Sequence, residues 1–169
     1  MRKIIVHFYP LLSAALREKI LLHNSDDVLQ LTRLMSVLSK CDFHKSMYHL
    51  GFPANKLIVE KIKTEKNSLI ISGSQYGISM DYMGFSFGDW PVESRFESKH
   101  MSFDMRLPVI RHSGLCIIDI DAAGLDRAVF EKYPSCSSGF LVVEDHNERN
   151  FMEINHFVKA FIDAFMEQI

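Results

Sequence analysis

Apolar residues recur along this chain at two different periods, and the switches between them outline its elements. Val28, Leu31, Met35 and Leu38 repeat at three and four, the spacing of one helix face. Leu11, Leu12, Ala15, Leu16 and Ile20 form an earlier apolar face, with Ser13, Arg17 and Glu18 on another side. Asn24-Ser25-Asp26-Asp27 reads as a break between two helices. Ser25 can cap the second one, and the two aspartates suit its first turn. A short strand is predicted before them at residues 4–8. A shorter helical piece follows, with Phe43, Met47 and Leu50 inward and Gly51 as its stop.

From Leu57 the period falls to two. Residues 56–63 mix β-branched residues with lysines, as a partly exposed strand does, and residues 69–71 form a second strand. In residues 76–83, Ile78, Met80 and Tyr82 alternate with Gly77, Ser79 and Asp81, which predicts a third strand with one wetter face. Turns at 64–67 and 72–75 would join the three into an antiparallel meander. Residues 92–107 have no decided pattern, although Phe96 and Phe103, seven apart, hint at a helix or a surface excursion.

Residues 108–146 concentrate the remaining core. Residues 109–120 predict one strand bent at Ser113-Gly114, residues 125–133 a helix, and residues 140–143 a buried strand. The last helix, over 148–169, places Phe151, Ile154, Val158, Phe161, Phe165 and Ile169 on one stripe. The pattern as a whole predicts an α+β fold in one domain, residues 1–169. A mainly antiparallel sheet of about six strands is packed by N-terminal helices and a long C-terminal helix.

Composition narrows the class. With 47% hydrophobic and 24% charged residues the chain is an ordinary globular one. Its net charge of −2 is unevenly spread. Residues 1–66 hold 11 Lys or Arg against 6 Asp or Glu, while residues 143–169 hold 2 against 6. No dense basic run marks a nucleic-acid reader, and the N-terminal helices lack a basic recognition face. No apolar run approaches the roughly 20 residues that span a bilayer. Residues 1–15 have the basic, apolar, then small-residue order of a short signal peptide. His7 and Pro10 interrupt it, and the helical pattern continues through Arg17, Glu18 and Lys19, so a cytoplasmic protein is expected. Three cysteines without close spacing (Cys41, Cys116 and Cys136) suit reduced thiols rather than a disulfide or zinc framework. Cys136, among serines, is the one to test for reactivity.

Candidate chemistry gathers in two places. Asp119-Ile120-Asp121 ends one predicted strand, and alternation puts both carboxylates on one face, as a Mg²⁺ site requires. Glu144-Asp145-His146 ends the next strand. Asp119, Asp121 and Glu144 could then serve a metal-dependent phosphoryl-transfer enzyme or nuclease, with His146 as acid or base. Carboxylates at strand ends are more often turn and cap residues. No HExxH, nucleophile-elbow or dinucleotide-binding motif is present, so no cofactor and no metal is assigned.

The segment 84–91, Gly-Phe-Ser-Phe-Gly-Asp-Trp-Pro, sets aromatics between glycines and carries the single tryptophan. It can pack inward or be presented to a partner. Together with the acidic C-terminal segment and the lack of a catalytic motif, it favours a binding protein over an enzyme. In overall type the chain resembles the immunity proteins of bacterial toxin–immunity pairs, such as those of contact-dependent inhibition. That resemblance implies a small inhibitor that covers the active site of a toxin or enzyme, with a basic, nuclease-like toxin domain as its protein partner. The contact residues expected on this reading are Asp81, Phe85, Phe87, Asp89, Trp90, Glu144, Asp145 and Glu148.

Overall fold

A computed structural model of the protein describes residues 13–38 and 42–168. The predicted strand at 4–8, the signal-like start and Cys41 lie outside them. The chain divides into two compact units, Met1–Cys41 and Asp42–Ile169. The described part of the first is one helix, α1 (Ala14–Leu38). It runs straight through 24–27, where the sequence suggests a break. Neither Gly nor Pro falls in this span, and Asn, Ser and Asp each cost a helix only about half a kcal/mol relative to Ala. His23 and Asp27, one turn apart, close a pair at 3.0 Å across the supposed break. No described helix is long and apolar enough to cross a membrane.

The second unit is α+β. It opens with α2 (Phe43–Leu50), whose Asp42 side chain caps the Lys45 amide at 2.9 Å. A six-stranded antiparallel sheet follows, built from β1 (Phe52–Ala54), β2 (Leu57–Glu65), β3 (Ser68–Gln75), β4 (Tyr82–Gly84), β5 (Glu93–Glu97) and β6 (Ser102–Pro108). Its spatial order is β1-β2-β3-β6-β5-β4. A second sheet holds β7 (Ile110–His112), β8 (Leu115–Asp119), β9 (Cys136–Ser137), β10 (Phe140–Asp145) and β11 (Glu148–Arg149). Its path is β11-β10-β8-β7, with β9 also paired to β10. The chain ends in α3 (Phe151–Met166).

The predicted meander is half right. β2 and β3 pair as expected, but β3 continues to Gln75 through the expected turn. Glu60 is the extra residue of a bulge in β2. A Cβ on Gly73 would meet the Ile58 carbonyl oxygen at 2.0 Å, so glycine is what lets the strands pair there. Of the third predicted strand only Tyr82 and Met83 are extended in the sheet, and with Gly84 they join its far edge beside β5. The undecided stretch 92–107 is the β5–β6 hairpin.

Two further departures matter for the site. The bent strand at 109–120 is a hairpin, β7 and β8, turned by Ser113 and Gly114 with φ of 49° and 86°. The predicted helix at 125–133 contracts to a 3-10 turn, Arg127–Val129, capped by Asp126. Pro134 disfavours helical backbone at Tyr133, and Phe130 and Tyr133 are buried from successive tight turns instead.

α3 organises the interior. Ile154, Phe157, Val158, Phe161, Ile162 and Phe165 are all buried. The helix starts later than expected because Glu148 and Arg149 form β11; of the expected stripe, Phe151 is half-buried and Ile169 lies outside the described residues. Phe161 meets Phe87 and Trp90 at ring distances of 5.3 and 5.7 Å, and Phe165 stacks on Phe96 at 6.0 Å. Each such ring stabilises the unit by about 1.5–3 kcal/mol through burial alone.

Candidate functional site

The expected contact residues fall into three groups, and the sheet order explains why. Asp81, Phe85 and Asp89 are exposed around the β4 edge. Glu144, Asp145 and Glu148 lie on the β10–β11 hairpin. Phe87 and Trp90 belong to neither surface.

Phe87 and Trp90 are the clearest correction. Their backbones exchange two hydrogen bonds, at 2.9 and 3.0 Å, around Gly88 and Asp89. Gly88 takes a φ of 57°, which closes the turn in two residues. Both flanking rings therefore point the same way, onto α3, with exposures of 6% and 5%. They are core residues and unavailable to a partner. Asp89 is left at the exposed tip, and Phe85 on the outside is 69% exposed.

Around Phe85 the surface is shaped by β4 and β5. Asp81 accepts hydrogen bonds from the Ser98 amide and hydroxyl, both at 2.7 Å, and these hold its carboxyl below the usual carboxylate range. Tyr82 leans inward on Phe96 and Phe165, which turns Met83 outward at 59% exposure. An open groove of about 410 Å³ runs past Asp81, Arg95, Glu97, Lys99 and His100. A smaller depression of about 150 Å³ lies between Phe85, Glu93 and Asp104. The two share Met83 and Arg95. Their linings carry four carboxylates (Asp81, Glu93, Glu97, Asp104) against two permanent cations, Arg95 and Lys99.

Glu144 is a structural hub and not a surface contact. A register shift between Val142 and Glu144 aligns Glu144 with the fully buried Cys116, and Glu144 is 7% exposed. Its Oε2 accepts from Thr64 Oγ1 of β2 at 3.2 Å, which links the two sheets. Arg111 approaches Oε1 at 3.4 Å and Arg149 approaches Oε2 at 3.5 Å. The Arg149 guanidinium also lies 5.4 Å from the centre of the Tyr48 ring. Burial pushes the Tyr48 hydroxyl up, and its proton is given to the Ile62 carbonyl at 2.9 Å. Beyond Glu144, His146 and Asn147 have φ of 45° and 72° and make a two-residue hairpin turn. Asp145 is exposed and spends its carboxylate on the neighbouring His146 ring.

The paired aspartates are engaged as well. Asp119 Oδ1 accepts from the Ala122 amide at 3.0 Å, closing the turn after β8. Asp121 forms a two-pronged ion pair with Arg127, which holds its carboxyl below the usual range. Gly139 leaves the space for that pair, since a Cβ there would sit 2.9 Å from Asp121 Oδ2. β8 and β10 are antiparallel, so their acidic ends point in opposite directions. Asp119 faces Phe140, whereas Glu144 faces Cys116 three residues away, about 10 Å along the ladder. The three carboxylates proposed for a single metal are thus pulled apart. Among the described residues no group of three or more His, Cys, Asp or Glu side chains could hold a metal ion. Burial raises the thiol pKa of Cys136, with Glu131 adding to it, which works against the reactivity considered for it.

A polar cluster that the sequence reading passed over lies between α2, α3 and the turn before β9. Asn155 is fully buried and donates to the His44 carbonyl at 2.7 Å. Tyr133 hydrogen-bonds His156 Nδ1, and Ser135 donates to the buried Glu153 at 2.7 Å. Helical spacing puts Glu153 on the outer face of the last helix, but the turn before β9 covers it and Ser135 satisfies its carboxylate.

No family model matches this chain, and neither does any curated protein or solved structure.

Proposed function

We propose that the protein is a small cytoplasmic binding protein that neutralises a toxin or enzyme by covering its active site, with a basic, nuclease-like domain as partner. The observation that carries this reading is the β4 edge. Met83 and Phe85 stand exposed beside grooves whose carboxylates outnumber their permanent cations. Exposed aromatic and methionine side chains are suited to anchoring a partner. An acidic rim steers a basic one and sets its orientation. The contact surface on this reading is Asp81, Met83, Phe85 and Asp89. Asp145 and Glu148 form a separate acidic tip on the β10–β11 hairpin, which Glu144 ties to β2, four strands along the sheet from β4.

The test is affinity capture from the native host with the intact chain as bait, followed by assay of whatever is retained in stoichiometric amount. A retained basic enzyme whose activity falls on adding the purified protein supports the reading. Failure to retain any stoichiometric partner, or a retained partner with undiminished activity, contradicts it.

A further inference from the structure

α2 is held to the rest of its unit by contacts of two kinds. Its C-terminal half is anchored by Tyr48, which hydrogen-bonds the Ile62 carbonyl and packs on Phe151 at 5.1 Å. His49 also meets the Phe151 ring, at 5.7 Å, and Lys45 from the first half of the helix lies over the same ring at 6.0 Å. Its N-terminal half is held by the His44 carbonyl, which accepts from the Asn155 side-chain amide at 2.7 Å, and by the His44 ring. The His44 ring meets His156 of α3 edge to face, with centroids 5.3 Å apart. His44 Nδ1 and Asn155 Oδ1 are both buried and take no hydrogen bond. The charged groups that act on His156 are all cations or histidines: His44 from α2, Lys132 from the turn before β9, and Lys159 on α3 itself. Glu153, one turn before it, is occupied by the Ser135 hydroxyl.

We propose that the His44–His156 contact is an acid-sensitive latch, which docks the first turn of α2 while His156 is neutral and loosens it when His156 gains a proton. In the neutral state Nδ1 can accept from the Tyr133 hydroxyl, and the ring can lie against His44 without an unpaired charge. Burial first, then His44 and the two lysines, hold the His156 pKa below the usual histidine value. The docked form therefore binds the proton more weakly than the undocked form. Docking is at full strength above the ordinary histidine range and is lost as the pH falls towards the depressed pKa. The latch is independent of the binding reading and stands or falls without it.

Hydrogen exchange of the full chain, followed by peptide mass spectrometry and scaled for the intrinsic pH dependence of exchange, tests this at about pH 8, at about pH 5 and at steps between them. Amides of α2 are predicted to exchange about tenfold faster at the lower pH, while β2, β3 and the C-terminal half of α3 are unchanged. In His156→Gln, which can still accept from Tyr133 but cannot take the charge, the α2 response disappears. Lys132→Gln alters an exposed side chain and moves the loosening to lower pH; this variant decides the matter if His156→Gln does not fold. Equal α2 exchange at both pH values, loosening of the whole unit together, a wild-type response in His156→Gln, or an unmoved midpoint in Lys132→Gln would each overturn the latch.

Discussion

Phe96 and Phe103 stand directly opposite each other on β5 and β6, with their rings stacked 6.0 Å apart at 23°. Phe165 of α3 stacks on Phe96 as well, also at 6.0 Å. This stack ties the outer half of the six-stranded sheet to the C-terminal helix. Phe96→Ala is predicted to lower stability by about 3–5 kcal/mol in urea unfolding of the intact chain. Phe85→Ser, outside the core, should stay within about 0.5 kcal/mol of wild type. Equal losses in the two variants would contradict the division drawn between core and surface aromatics.

Glu144 is predicted to matter for folding and Asp145 and Glu148 are not. Glu144→Ala removes the acceptor of Thr64 and leaves Arg111 and Arg149 facing each other without their shared carboxylate. The loss should be about 1–3 kcal/mol, the arginines being partly solvated. Asp145→Ala and Glu148→Ala, both at exposed positions, should shift the urea midpoint hardly at all. A Glu144→Ala protein as stable as wild type would remove Glu144 from its place as a link between the sheets.

Much of this was legible in the sequence, and the failures share a cause. The period-three-and-four stripe of α3 could be read because one helix carries its own register. Phe96 and Phe103 could not, because a seven-residue separation fits two helical turns as well as a hairpin whose partners face each other. Asp119 and Glu144 each end a strand, as expected, but only strand direction decides whether two such ends meet. Periodicity is blind to direction. The burial of Glu144 rests on a one-residue register shift, which alternation cannot anticipate. At Phe87 and Trp90 composition offered core and contact together, and the two-residue turn between them chose core.

Asp119 is predicted to behave as a turn residue. Asp119→Ala should cost about 1 kcal/mol through loss of the bond to the Ala122 amide. Thermal melting of the wild-type chain should not respond to millimolar Mg²⁺ or Mn²⁺. Stabilisation by either ion that vanishes in Asp119→Asn would reinstate the metal site.

Asp81 and Asp121 set a dependence on acid. Both carboxyls are held below their ordinary range, Asp81 by Ser98 and Asp121 by Arg127. The folded chain therefore keeps these two protons off more strongly than the unfolded chain does. Their contribution is complete above the ordinary carboxylate pKa and is lost as the pH falls through the depressed values. Both sites are exposed, so the effect is small and the Asp121–Arg127 part weakens with salt. Melting curves of Asp81→Asn and Asp121→Asn should converge on wild type at low pH and separate from it near neutrality. A constant separation at every pH would show that ionisation is not involved.

The β4 edge is the surface on which the binding reading rests, and a paired capture experiment addresses it most directly. Wild type and a Phe85→Ser, Asp89→Lys double variant are used as bait side by side, with the fold of each checked by circular dichroism. The prediction is one stoichiometric partner on the wild type, with retention on the variant reduced at least tenfold, the loss expected from about 1.4 kcal/mol or more at an interface anchor. Equal retention of that partner by both baits would contradict a contact surface at β4.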